Sequence, residues 1–324
     1  MKKMSAHLVR ALAAIVVLCS GAAALAQDYP ARTIKFVVPS APGTGVDAIA
    51  RTVAEKLQAK WAQPVVVENR AGAGLNIGAD YVAKSPPDGY TLLYTPPSPL
   101  VINKALYGKL AYEPDDFVPV SLVSSTPLVL VVPPKQPADT LQQLIAFARA
   151  NPNRLNYGSA GSGSTLHLAA ELFNSMAGVK TVHVPYKVLA TGLTDLIGGQ
   201  VDMVFFDLGT VFQHIRAGRL KVLAVGTEKR HPLLPNVPAF SEVLPGYLAA
   251  TWNGIVAPSG TPQAVANKLS GAVAEIMKLP EVVEQLSNRS TVSIGSTPAE
   301  MTAFMKQERD RWGAVIRASG ARAD

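Results

Sequence analysis

The stretch Asn156-Tyr157-Gly158-Ser159-Ala160-Gly161-Ser162-Gly163-Ser164-Thr165 offers small residues and hydroxyls in a spacing suited to anion recognition. Ala160, Gly161 and Gly163 let a ligand approach bare backbone amides, and Ser162 adds a hydroxyl. Ser164 or Thr165 can cap the helix that follows, by accepting a hydrogen bond from an unpaired N–H of its first turn. Exposed amides at the positive end of a helix dipole suit an anion. A flexible serine-rich linker is the competing reading of the same composition.

A second loop of similar build favours the anion reading. Pro39-Ser40-Ala41-Pro42-Gly43-Thr44-Gly45 follows the apolar run Ile34 to Val38 and precedes a helical pattern at Val46, Ile49, Ala50, Val53, Ala54 and Leu57. Pro64 to Glu68 is the next strand, so this is a βαβ unit with its loop where open α/β sheets place ligands. Gly43-x-Gly45-x-x-Ala48 and Glu68 also fit a permissive dinucleotide fingerprint. Pro39 and Pro42 remove donors from that loop, and Asp47 puts a negative charge in the first helical turn, so a nucleotide cofactor is not expected.

Asp207 ends the apolar run Val201 to Phe206, and Thr95 ends the run Tyr90 to Tyr94. Either could meet a ligand at a strand's carboxyl end; a turn or cap is the plainer role for Asp207. His167 lies in the first turns after the serine loop, as a polar contact or a half-buried helix histidine. His183, His214 and His231 are dispersed without metal-ligand spacing. There is no Gly-x-Ser-x-Gly elbow, Walker loop or His-Glu-x-x-His, so no catalytic residue, metal or cofactor is assigned.

The elements that must position these residues fall into two units. The chain has 324 residues, 48% hydrophobic and 16% charged, as in a globular protein with a large core. Val118–Val123 and Leu128–Val132 are apolar runs separated by Ser124-Ser125-Thr126-Pro127, a candidate crossing between units. Leu220 to Val225 is a candidate return. The expected organisation is α/β: domain 1 from 27–124 and 227–324, domain 2 from 125–226, and a ligand cleft between them. Two long helices, 262–278 and 298–317, close the chain.

Residues 1–26 read as a secretory signal peptide. Lys2, Lys3 and Arg10 precede the apolar run Leu12–Leu18, and Ala24-Leu25-Ala26 supplies a small-x-small cleavage site. Lipid attachment at Cys19 is a second possibility, weakened by the bulk of Leu18. Cleavage after Ala26 removes the chain's single cysteine and lowers the formal charge of +7 by three. Basic residues are scattered rather than interleaved with aromatics, so no nucleic-acid partner is expected.

Across about Tyr29 to Gly320 the chain resembles the Bug family, the TctC-type periplasmic solute-binding receptors of tripartite tricarboxylate transporters. The resemblance is carried by Val37-Val38-Pro39, Pro42-Gly43, Asp47, Glu68 to Gly74, Asn76-Ile77-Gly78 and Asp88 to Leu92. It continues through Leu155 to Gly161, Gly163-Ser164, His167-Leu168, His183 to Lys187, Gly198 to Asp202, Ala257-Pro258 and Gly260-Thr261-Pro262. It implies a two-domain periplasmic-binding-protein fold (Venus flytrap, type II-like) that takes a small carboxylate as a non-enzymatic receptor. It also implies membrane transporter subunits as partners and a monomer in the periplasm. The family's two gripping loops match Ser40 to Asp47 and Ser159 to Thr165, and its pocket aspartate matches Asp207. The chain departs from the family at Gly43-Thr44-Gly45, where paired glycines are usual. It departs again at Val188-Leu189-Ala190-Thr191, where a glycine and a proline are usual and where added bulk is expected to reshape the cleft. A secreted α/β enzyme using Asp207 or His167 as a base is the alternative.

Overall fold

The computed structural model describes residues 29–186 and 188–323. The signal segment 1–26, Cys19 and Lys187 lie outside the described residues.

The first unit begins with β1 (Ile34–Val38), α1 (Gly45–Trp61), β2 (Val65–Asn69), α2 (Asn76–Ala83), β3 (Thr91–Thr95) and the short α3 (Asn103–Leu106). β1 lies between β2 and β3, parallel to both, and its Ile34, Phe36, Val37 and Val38 are fully buried. Such near-continuous apolar runs are what a strand covered on both faces requires. α1 presents Ile49, Ala50, Val53, Ala54 and Leu57 to the core, one face at helical spacing.

β4 (Val118–Val132) is the spine of the molecule. Its Val118–Pro127 portion pairs antiparallel with β9 (Ala250–Ala257), and its Leu128–Val132 portion pairs with β7 (Met203–Asp207) and β8 (Lys221–Val225). The polar run expected to break two strands instead stays extended: Ser124, Ser125 and Thr126 pair with Asn253, Trp252 and Thr251. The second unit holds α4 (Leu141–Ala150), β5 (Asn156–Ser159), α5 (Thr165–Ala177), β6 (Val182–Pro185), α6 (Leu189–Gly198) and α7 (Leu208–Arg216). β5 lies between β6 and β7, parallel to both.

The strand order β2-β1-β3-β9-β4-β7-β5-β6 runs through both units, with β8 and the two-residue β10 (Val292–Ser293) also paired to β4. The return crossing lies beside β4, where Gly226 N donates to Leu128 O and Ala249 N donates to Gly226 O. Residues 227–249, grouped by sequence with the first unit, pack on the second. Phe240 stacks on Tyr247 at 4.1 Å and on Phe205 at 5.8 Å, and Tyr247 Oη donates to Ala169 O. Three proline-punctuated turns in that stretch concealed its apolar residues from a periodicity reading.

The chain ends with α8 (Gln263–Ile276), α9 (Pro280–Ser287), β10 and α10 (Pro298–Ser319). α10 packs against β4 and against α5 of the second unit, so it straps one side of the molecule. Buried Glu308 accepts hydrogen bonds from the indole N–H groups of Trp252 and Trp312, both at 3.0 Å, tying α10 to β9. No described helix is long and apolar enough to cross a membrane.

Candidate ligand-binding site

The loop between β1 and α1 is held by its own side chains. Thr44 caps α1, accepting from Asp47 N at 3.4 Å and donating to Ala41 O at 3.0 Å. A hydroxyl has one proton, so Ser40 Oγ is the donor in the 3.0 Å contact with Thr44 Oγ1. Asp47 is 2% exposed and sits beneath the loop. Its Oδ2 accepts from Gly43 N and Arg51 Nε, and its Oδ1 accepts from Asn69 Nδ2. Burial works against its charge, but the Arg51 guanidinium, the Gly43 N–H and the Asn69 amide together hold its carboxyl below the usual range. Gly43 is required by its φ of +81°, whereas Gly45 has an ordinary φ and open space where a side chain would stand.

The loop between β5 and α5 is built alike, with histidines in the role of Asp47. Ser164 caps α5 through His167 N, and Gly163 N donates to His167 Nδ1 at 3.0 Å. Ser159 Oγ accepts from Gly161 N and lies 2.6 Å from His183 Nε2. The His167 and His183 rings stack at 4.1 Å, with Tyr157 against His183 at 4.9 Å. The amides of Gly161 and Gly163, expected to face a ligand, are therefore occupied within the loop. Ala160 is exposed, Ser162 is half-buried, and Gly163 lies against Leu106 of α3.

A cavity of about 390 Å³ opens between the units. Gly45, Val46 and Ile49 of α1 form one wall, and Asp207, Gly209 and Thr210 at the start of α7 form the wall opposite. Thr126 of β4 and Asn253 of β9 line the back, and Arg289, just after α9, lines it from the first unit. The N-terminal turns of two helices thus meet one cavity. Asp207 stands at the N-cap of α7 but makes no capping bond, and its Oδ1 is buried without a partner among the described residues. Burial pushes its carboxyl up to about 6.

Of the residues expected from sequence, the cavity gathers Gly45 and Asp207. Ser40, Gly43, Thr44 and Asp47 shape the loop leading into α1. Thr95 is fully buried at the end of β3. Ser159 to Ser164 and His167 are outside the cavity lining, as is the departure at Val188 to Thr191, whose Val188 is 62% exposed. Asn253 and Arg289 were missed. A polar residue inside the otherwise apolar Trp252–Ala257 run was the available signal for Asn253; Arg289 carried none.

Residues 49–321 match the model of the tripartite tricarboxylate transporter family receptor, TctC. The chain belongs to this family. Protein BugT of Bordetella pertussis is 38% identical to it over 300 residues, covering 92% of each chain. Among solved structures, the TctC fold of this chain is similar to Rpa4515 of R. palustris with adipate, at 35% identity and a TM-score of 0.80 over 92% of this chain and 100% of that one. It is also similar to MatC from Rhodopseudomonas palustris with bound malate, at 30% identity and a TM-score of 0.76 over 89% and 100%. The two-lobed α/β architecture is that of periplasmic solute-binding proteins.

Proposed function

We propose that this TctC-family receptor captures a small carboxylate in the cavity between its lobes and presents it to a tripartite tricarboxylate-type membrane transporter. The observation that carries the reading is the convergence of two helix N-termini, those of α1 and α7, on one cavity. Their unpaired N–H groups and aligned dipoles favour an anion. Adipate and malate in similar structures support the ligand class.

The protein acts in the periplasm, as a monomer that returns its ligand unchanged. Ser159, the hydroxyl beside His183, is fully buried, and His167 Nδ1 is taken by the Gly163 amide, so neither is poised as a nucleophile or base. Asp207 sorts ligands by what they carry besides the carboxylate.

The test is mass spectrometry of small molecules released from natively purified protein, followed by calorimetry with the acid found and its primary amide. The acid should bind at least about tenfold more tightly, since charge-assisted hydrogen bonds contribute about 1.5–3 kcal/mol each. Equal affinity for acid and amide would end the carboxylate reading.

A further inference from the structure

The amides of Gly161 and Gly163 are both answered by an imidazole, one through a hydroxyl and one directly. Gly161 N donates to Ser159 Oγ at 3.1 Å, and that oxygen lies 2.6 Å from His183 Nε2. Gly163 N donates to His167 Nδ1 at 3.0 Å, and the two rings stack at 4.1 Å. Gly163 is also a point where the second lobe touches the first: a Cβ there would stand 1.9 Å from Leu106 Cδ2 of α3. His167 and Leu106 are both buried, so bond and contact are shielded from water.

The place of the proton on the ring follows from that bond. Nδ1 accepts from a backbone N–H, so His167 is neutral and carries its proton on Nε2. A second proton can go only to Nδ1, where it would face the Gly163 N–H donor against donor. Glu171 Oε1, which accepts from Tyr157 Oη and Asn174 Nδ2, lies 4.0 Å from Nε2 and favours a charged ring. His183 of β6, stacked between Tyr157 of β5 and His167, opposes that charge whenever it is itself protonated. The other elements packed here carry charges of their own. β7 ends in Asp207, α10 holds the pair Glu308 and Arg311, and Lys104 of α3 is paired with Glu113 and Asp115. The Gly163 bond and the second proton thus compete for one nitrogen.

We infer that His167 is a pH-sensitive positioning residue: its neutral ring holds Gly163 against Leu106, and its protonation loosens this contact between the lobes. The contact is complete at high pH and is lost as pH falls through the range in which His167 charges.

Nuclear magnetic resonance of the ligand-free protein tests it. At about pH 7.5 the ring nitrogens of His167 should show the Nε2-protonated tautomer, and Gly163 Hα should give an Overhauser contact to a Leu106 methyl group. Between about pH 7.5 and pH 5 the exchange protection of the Gly163 N–H should fall at least about tenfold, with loss of the Overhauser contact. His167→Asn puts a side-chain oxygen near the place of Nδ1 and cannot titrate, so its protection should be equal at both pH values. His167→Phe keeps a ring but offers no acceptor, so its protection should be low at both. Asp207 is present in all three proteins, and its titration therefore cannot produce the difference. A protonated Nδ1 at neutral pH, wild-type protection unmoved by pH, or an equal loss in His167→Asn would overturn the inference. None of these measurements uses a ligand, so that outcome leaves the carboxylate reading standing.

Discussion

Gly209 and Arg289 meet across the cleft with no room for a side chain: a Cβ on Gly209 would stand 2.2 Å from the Arg289 carbonyl oxygen. Gly209 belongs to α7 of the second lobe, and Arg289 follows α9 of the first. The contact is to backbone, which cannot swing aside as the end of a side chain can.

Gly209→Ala should therefore act on closure rather than on folding. Alanine favours the helix by about 1 kcal/mol over glycine, so α7 itself is not weakened. The methyl group props the lobes apart and should weaken ligand binding at least about tenfold. Small-angle scattering should show that ligand no longer reduces the radius of the variant to the wild-type value. Wild-type affinity and compaction would show that the contact yields freely.

Asp207 makes the empty receptor less stable than it need be. Its folded-state value of about 6 lies above the ordinary 3.8 because of burial, so the folded chain binds this proton more readily than the unfolded chain. Stability from this group is complete below the unfolded value and is lost as pH rises through the folded one. Asp207→Asn should then stabilise the protein by roughly 1–3 kcal/mol at neutral pH, and by little near pH 4. Denaturant titrations at both pH values check this, and a difference that does not change with pH would assign the effect to packing.

Asp47 has the opposite sign. Its carboxyl is held below the usual range by Arg51, Gly43 and Asn69 despite burial, so its contribution is present at neutral pH and lost as pH falls through the lowered value. Asp47→Asn should cost about 1–3 kcal/mol near neutrality, because hydrogen bonds to a buried charge are replaced by weaker ones and the Gly43 turn loosens. The cost should shrink in acid, and an equal cost at both pH values would mean that shape rather than charge holds the loop.

Blocking the cavity is cleanest at Gly45. Its φ is ordinary and nothing stands within 4 Å of the position a Cβ would take, so Gly45→Val should abolish ligand binding with little change in thermal midpoint. Gly161→Val, the substitution that the serine-glycine motif suggests, is a poorer test. Gly161 has φ +98°, so valine there is strained whatever the ligand does. Calorimetry and thermal unfolding of the two variants should separate blocked binding from damaged folding. Retained binding in Gly45→Val would place the ligand elsewhere in the cleft.

What sequence could show was local. Apolar runs and turn residues located β1, α1 and the two strand-to-helix loops, and the helix expected at 298–317 is Pro298–Ser319. The polar run Ser124–Thr126 carried turn chemistry, yet its pairing with β9 keeps it extended, a tertiary decision that composition does not record. The serine-glycine loop was recognised as a loop before a helix. That its Gly161 and Gly163 amides are taken by Ser159 and His167 depends on χ angles and a neighbouring strand. Asn253 and Arg289 reach the cavity from β9 and from beyond α9, far from either loop in the chain.

The place of β9 also sets an order of assembly. β9 sits between β3 and β4, so the first lobe's sheet cannot be completed until residues 250–257 have joined strands more than a hundred positions earlier. The strands of the second lobe, by contrast, all lie within residues 128–225. Loop closure over the shorter span is entropically cheaper, and domains of larger chains tend to fold as units. A refolding chain should therefore form its inner, uninterrupted lobe first and leave β1, β2 and β3 waiting as an unfinished sheet edge, the state most exposed to aggregation.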